Sequence, residues 1–146
     1  MNILKIDHIG IAVRDLNKYL KLFGEDLGLE IHDFEDADPY GGTRCVFAKI
    51  GETDFEFLQD RTPESDEKVI DQRDIARWIE KRGEGIHHIA LRVPDIEEAI
   101  REAKAQGLQV IDEIGRPGAR GSKVAFIHPK SAGGILFHFV EREEKS

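Results

Sequence analysis

The sequence predicts an α+β chain built of two tandem βαβββ modules joined by a linker helix. Three observations carry that reading. "IDHIGIAVRDL" (6–16) and "IHHIALRVPDI" (86–96) align at an offset of 80, matching His8 with His88, Val13 with Val93 and Asp15 with Asp95. Each run is followed by a helical pattern of apolar residues and then by three strand-like runs. The ends of the halves also align, at an offset of 82, so that Phe55, Glu56 and Phe57 match Phe137, His138 and Phe139. Self-similarity on this scale is the mark of a repeated supersecondary unit.

The elements follow in order. Residues 6–13 alternate in the manner of a strand. Leu16, Tyr19, Leu20, Phe23 and Leu27 then fall at helical spacing, with Asp15 placed as N-cap and Gly28 as the stop. Strand-like runs follow at about 29–36, 43–50 and 53–59, with "PYGG" and "GET" as turns. A polar stretch, "DRTPESDEK", leads to a helix over about 71–82 that carries Ile75, Trp78 and Ile79. The second half repeats the scheme. Asp95 and Glu98 form a capping box, Ile96, Ala99, Ile100 and Ala103 line a helix, and Gly107 ends it. Strands are expected at about 108–113, 122–128 and 134–141. The 146 residues thus form a single domain, with module one at about 3–60 and module two at about 85–142.

Composition narrows the function classes. The chain is 40% hydrophobic and 34% charged, and no run approaches the ~18 apolar residues of a membrane span. "MNILKIDHIG" lacks the parts of a secretory signal, and Cys45 is the sole cysteine, so neither a disulfide nor a thiolate-rich zinc site is expected. The cytoplasm is the expected compartment. A net charge of −8 argues against a nucleic-acid partner. It would also repel an anionic substrate, unless the basic segment "GRPGARGSK" (Arg116, Arg120, Lys123) offsets it locally. That segment otherwise reads as a solvated loop.

Strand parity points to a site. Side chains alternate between faces, so Ile9, Ile11 and Val13 share the helix side while His8 faces away. His88 lies likewise opposite Ile89, Leu91 and Val93, and Glu56 and His138 lie opposite the phenylalanines that flank them. Any one of these is unremarkable as a polar residue facing water. Four at repeat-equivalent positions suit a divalent metal, because imidazole and carboxylate ligands together accept zinc, iron, cobalt, nickel or manganese. His87 has the opposite parity and reads as a residue behind the site or at the surface. His32 and His128 match no repeat position and read as ordinary polar residues.

With these motifs the chain resembles the vicinal oxygen chelate superfamily, which includes glyoxalases, bleomycin-resistance proteins and extradiol dioxygenases. "IARWIEKRGEGIHHIALRVPDIEEAI" and "GSKVAFIHPKSAGGIL" are similar to its methylmalonyl-CoA epimerases in particular. The resemblance implies that the modules curl into an open barrel-like cup around one divalent metal held by His8, Glu56, His88 and His138. It implies an isomerase that exchanges the α-proton of an acyl-CoA thioester through a metal-stabilised enolate, with Glu56 as ligand and base. Arg116, Arg120 and Lys123 would meet the CoA, and a homodimer is expected. The chain departs from that family by carrying "LFHF" where a glutamate is usual and by having no acid in "GGTRCVFAKIG". The second proton-handling group is therefore open among Glu35, Asp36 and Asp38, with Glu141 disfavoured by parity. Glyoxalase-type or iron-dependent dioxygenase chemistry, or binding without turnover, are the alternatives on the same scaffold.

Overall fold

The structure, a computed structural model, describes residues 1–35, 43–60 and 75–143. Contacts divide the chain into two compact units, Ile9–His87 and Met1–His8 with His88–Ser146. They follow the two sequence modules, except that the start of the first strand belongs with module two, and the linker helix and residues 85–87 belong with module one.

In the unit Ile9–His87, the second part of β1 (Lys5–Val13) leads into α1 (Leu16–Leu20) and then to β2 (Glu30–Glu35), β3 (Thr43–Ile50) and β4 (Thr53–Asp60). The hydrogen-bonded order is β2-β3-β4-β1. Val13, Leu16, Val46, Ala48 and Phe57 form the core, with Ile11, Tyr19, Phe23 and Phe55 packed on it. Register explains the division of faces: Ile31 pairs with Ala48 and Ala48 with Phe55 on the helix side. His32 pairs with Phe47 and Phe47 with Glu56, which puts that row on the opposite face. α2 (Ile75–Arg82) buries Ile75 and Ile79, and its last turn presents Arg82 to the Trp78 ring at 4.2 Å. The expected helix start at 71–74 and the linker "DRTPESDEK" after Asp60 lie outside the described residues.

One difference from expectation lies in the first helix. α1 is five residues long and continues as a π-helical turn, Lys21–Asp26, in which the Leu27 N–H donates to the Leu22 carbonyl at 2.9 Å. Gly24 sits in that wider turn, where a Cβ would stand 2.9 Å from Ile31 Cγ1, so its missing side chain lets the helix approach β2.

The second unit carries β5 (Gly85–Arg92, from His88 onward), α3 (Ile96–Ala105), β6 (Arg116–Pro117), β7 (Lys123–Ile127) and β8 (Phe137–Glu141). Its order is β1-β5-β8-β7-β6, and the parallel β5–β8 pairing makes the sheet mixed. Val93, Ile96, Ile100, Ala103, Ala125 and Phe139 pack under α3. The strand expected at 108–113 is not a ladder. It reduces to one bridge, Val110 to Ile127, because the Asp112 carboxylate takes the Phe126 N–H (2.7 Å) in place of a strand carbonyl. The edge strand is instead the short β6. β8 begins at Phe137 rather than 134, after Gly133 and Gly134 turn the chain at positive φ.

The repeat extends to helix capping. Asp15 and Asp95 cap α1 and α3 as expected, through the N–H groups of Asn17 and Glu98, both at 3.1 Å. A second partner arrives from the last strand of each module. Gln59 Oε1 accepts from the Leu16 N–H at 2.6 Å, and Glu141 Oε1 from the Ile96 N–H at 2.9 Å. Glu141 is thus committed to structure. Gln59→Ala and Glu141→Ala should each lower unfolding stability by about 1 kcal/mol, read from urea denaturation midpoints. An unchanged midpoint for both would mean that water replaces these side chains without cost.

Candidate metal centre

In the unit formed by Met1–His8 and His88–Ser146, β1, β5 and β8 each supply one histidine to the helix-free face. His8, His88 and His138 bring one ring nitrogen apiece to within 4.8 Å of one another. All three are buried, at 6, 5 and 3% exposure, so the rings converge away from bulk water. His8 Nε2 and His88 Nε2 stand 3.0 Å apart with the rings edge-to-face. Ala90 pairs with His138 across β5 and β8, which places the third ring beside His88, with centroids 4.7 Å apart. Phe126, opposite His138 on β7, stacks on that ring at 4.8 Å and backs it.

The hydrogen bonds preset two of these rings. His8 Nδ1 donates to Asp7 Oδ2 at 2.7 Å, which leaves Nε2 as the lone pair pointing at the cluster. His138 Nδ1 donates to the Phe139 carbonyl at 3.2 Å, with the same result. Burial, and then the charge of His8, holds the His88 pKa well below its ordinary value, so this ring is neutral. A cluster of buried imidazoles whose ring nitrogens converge is a metal-ligand set. Two imidazoles on one cation at ~2.0–2.1 Å would hold their nitrogens about 3 Å apart, close to the His8–His88 separation. The residues fit a divalent ion of the kind imidazole accepts.

Glu56 lies on β4 in the other unit, buried, on the helix-free face in the row His32–Phe47–Glu56. The three histidines are therefore brought together, while Glu56 keeps the face that parity assigned to it.

Behind His8 stands an ion cluster that the motifs did not reveal. Asp7 is 0% exposed, and its carboxylate accepts from Arg92 Nε (2.7 Å), Arg120 Nη2 (3.0 Å) and Arg142 Nε (3.1 Å) as well as from His8. Burial alone would push this carboxyl up. The hydrogen bond and charge of His8, the charge of Arg142 and the Arg92 hydrogen bond outweigh it and hold Asp7 well below the usual carboxylate range. One signal existed in the sequence. Arg92 shares the parity of His88, and an arginine at a buried strand position needs a partner.

The basic segment divides. Arg120 is drawn into the Asp7 cluster, and with Lys123, Arg92 and Arg142 it lines a cleft of about 860 Å³. Arg116 is not among that cleft's lining residues; its Nε lies 2.8 Å from Asp112 Oδ1 and its guanidinium sits over the Phe126 ring. The other histidines have local partners. His87 is no surface residue: it is buried edge-on to Trp78 at 4.5 Å. His128 accepts the Lys130 N–H, and His32 bridges Asp33 and Asp54 at 2.8 and 2.9 Å. Asp36 and Asp38 lie outside the described residues.

Residues 7–126 match the glyoxalase/bleomycin resistance protein/dioxygenase superfamily. The chain belongs to that superfamily. It is 34% identical to the mitochondrial methylmalonyl-CoA epimerase of Dictyostelium discoideum, over 97% of this chain and 78% of that one. It is 33% identical to the ethylmalonyl-CoA/methylmalonyl-CoA epimerase of Cereibacter sphaeroides, over 96% and 97%. A variant of Streptomyces coelicolor methylmalonyl-CoA epimerase, solved with 2-nitronate-propionyl-CoA, shares its fold with a TM-score of 0.83 at 28% identity, covering 96% of this chain and 95% of that one. This superfamily member is accordingly an epimerase-type enzyme, and its fold is the one the paired modules predicted. Among the described residues no helix is long and apolar enough to cross a membrane.

Two outcomes test the electrostatics. His88 and Asp7 both have depressed pKa values in the folded chain, so the unfolded chain binds more protons and stability rises with pH. Metal-stripped protein should therefore lose stability as pH falls below about 6.5, the ordinary histidine value, and lose more below about 4 as Asp7's contribution goes. Asp7→Ala should cost about 3–5 kcal/mol in urea unfolding at pH 7, because it leaves buried guanidinium groups without their carboxylate. A loss below about 1 kcal/mol would show that water or other groups solvate the arginines.

Proposed function

We propose that the protein epimerises the α-carbon of methylmalonyl-CoA or a related acyl-CoA thioester in a reaction that requires one divalent metal. The observation that carries this reading is the convergence of three buried imidazoles, two with their tautomers set, in a chain whose relatives include methylmalonyl-CoA epimerases matched over nearly all of this chain. His8, His88 and His138 would hold the ion. Glu56 is the fourth ligand by repeat equivalence, since it occupies in module one the position His138 holds in module two. A divalent ion bound there supplies Lewis acidity toward a thioester carbonyl oxygen, which acidifies the neighbouring C–H.

The chain's own groups do the rest. Asp7 fixes His8 by its Nδ1–H, and Phe126 fixes the plane of His138. Glu56 takes the α-proton, a role suited to a buried carboxylate. Inversion needs a second group to return a proton to the opposite face, and Glu35, Asp36 and Asp38 are the acids held in reserve for it. Glu141 is not, because it caps α3. Arg120 and Lys123 on the wall of their shared cleft, beside Glu141 and Glu143, would be the cations that meet the CoA phosphates against the overall charge of −8.

Incubating methylmalonyl-CoA with the metal-loaded protein in heavy water tests the reading. Deuterium should enter the α-position with inversion, and Glu56→Gln should reduce exchange by about 10²- to 10⁴-fold, the usual worth of a general base. Exchange without inversion would mean a one-base site. No exchange with zinc, cobalt, nickel, manganese or iron would end the epimerase proposal.

A further inference from the structure

The cleft beside the Asp7 cluster is walled by the same guanidinium groups that pair with Asp7. Arg92 comes from the end of β5, Arg120 from the turn between β6 and β7, and Arg142 from just past β8. All three line the space of about 860 Å³, together with Lys123. The side chains of Arg92 and Arg120 are 5 and 6% exposed, so they are buried donors set into a wall. Each guanidinium has five N–H donors, whereas a carboxylate offers about four lone-pair sites. Asp7 accepts from Arg92 Nε and Nη2, Arg120 Nη2, Arg142 Nε and His8 Nδ1, so its oxygens are saturated. One carboxylate is therefore shared between the arginines of the cleft and a metal-ligand candidate.

Arg120 is held there at a cost. Its backbone lies in the left-handed region, at φ 61° and ψ 33°, which a residue with a Cβ adopts only when its surroundings compel it. The turn is pinned on both sides of it. The Gly118 N–H donates to the Ser122 carbonyl at 2.9 Å, and Ser122 Oγ donates to the Ala119 carbonyl at 2.7 Å. A Cβ at Gly118 would stand 2.7 Å from Val124 Cγ1, so the turn is seated directly on β7. Backbone strain of this kind gathers at ligand-binding sites. The charges point the same way. Glu141 and Glu143 also line the cleft, and with Asp7 they leave the four cations one positive charge in excess. Glu141 is moreover committed to the Ile96 N–H. Planar, fork-shaped donors with a net positive charge suit the oxygens of a phosphate.

We propose that a phosphate-type anion binds in this cleft through Arg120, Arg142 and Lys123, and that its binding tightens the hold of His8 on a metal. This rests on the metal-centre reading and extends it to a second site. The coupling runs through Asp7. An anion that draws two guanidinium groups toward itself leaves Asp7 with fewer donors, and the bond from His8 Nδ1–H strengthens. A stronger carboxylate partner makes the opposite ring nitrogen, Nε2, a better ligand. The charge of the anion acts in the same sense, because it attracts a nearby cation.

Sulfate and cobalt are the probes, applied to the whole metal-stripped chain with chloride exchanged at constant ionic strength. Chelator competition should show cobalt held at least about fivefold tighter at saturating sulfate, the low end of coupling between sites. Cobalt-loaded protein should bind sulfate tighter by the same factor, since the coupling is reciprocal. In metal-free protein, sulfate should shift the ring resonances of His8 in nitrogen NMR, a readout independent of activity. Lys123→Gln should weaken sulfate about two- to fivefold, the worth of an exposed ion pair, and leave the coupling factor at saturation unchanged. Arg142→Gln should weaken sulfate further and lower the coupling factor itself. If thermal melts show that Arg142→Gln does not fold, the wild type and Lys123→Gln carry the comparison. Displacement of sulfate by CoA would support a thioester phosphate as the occupant, and coupling undisturbed by CoA would support a free anion. Equal cobalt affinity with and without sulfate, or no sulfate binding, would overturn the proposal and leave the metal centre in place. A wild type that takes up no cobalt would overturn both.

Discussion

A buried carboxylate at the edge of the histidine cluster governs much of this structure. Asp7 has no exposed surface, yet it carries a charge because donors from four residues converge on it. Removing an ion from water costs several kcal/mol, and only dense pairing offsets that. The pairing has two effects. Toward the strands it gathers Arg92, Arg120 and Arg142 from three separated stretches of chain. Toward the cluster it sets the tautomer of His8, so that Nε2 presents a lone pair to His88. The ion cluster and the candidate metal centre are thus one electrostatic unit.

Aromatic packing holds the other side. His138 is clamped between its own strand's carbonyl and the ring of Phe126, while Phe139 on the opposite parity belongs to the helix-side core. Placing a histidine on this strand costs the core nothing, because the alternation of β8 sends successive residues to different layers. In the other unit the same alternation sends Phe55 and Phe57 under the helix and leaves Glu56 on the free face. A repeated module lets one strand pattern build both a core and a functional surface.

Most of the architecture was legible because it is local or repeated. The offset of 80 exposed the modules, Asp15 and Asp95 marked helix starts, and parity separated His8, His88 and His138 from their apolar neighbours. What escaped depends on partners distant in sequence. Nothing near Asp112 announces that its carboxylate will take the Phe126 N–H and dissolve an expected strand. The π-helical turn at Lys21–Asp26 follows from how closely Gly24 lets the helix approach Ile31, a packing fact without a sequence period. Arg116, Arg120 and Lys123 read as one basic segment, yet alternation and a short turn send Arg116 to Phe126 and Arg120 to Asp7. The correction to His87 has the same cause, since its burial depends on Trp78 of α2.

The central claim is that the three converging imidazoles hold a divalent ion. Elemental analysis with X-ray absorption on protein purified without an affinity tag or added metal addresses it most directly. The account expects close to one metal per chain with at least three imidazole nitrogens at ~2.0–2.2 Å, and loss of that metal in His88→Ala with the fold retained. A folded wild type that catalyses α-proton exchange while containing no metal would contradict it.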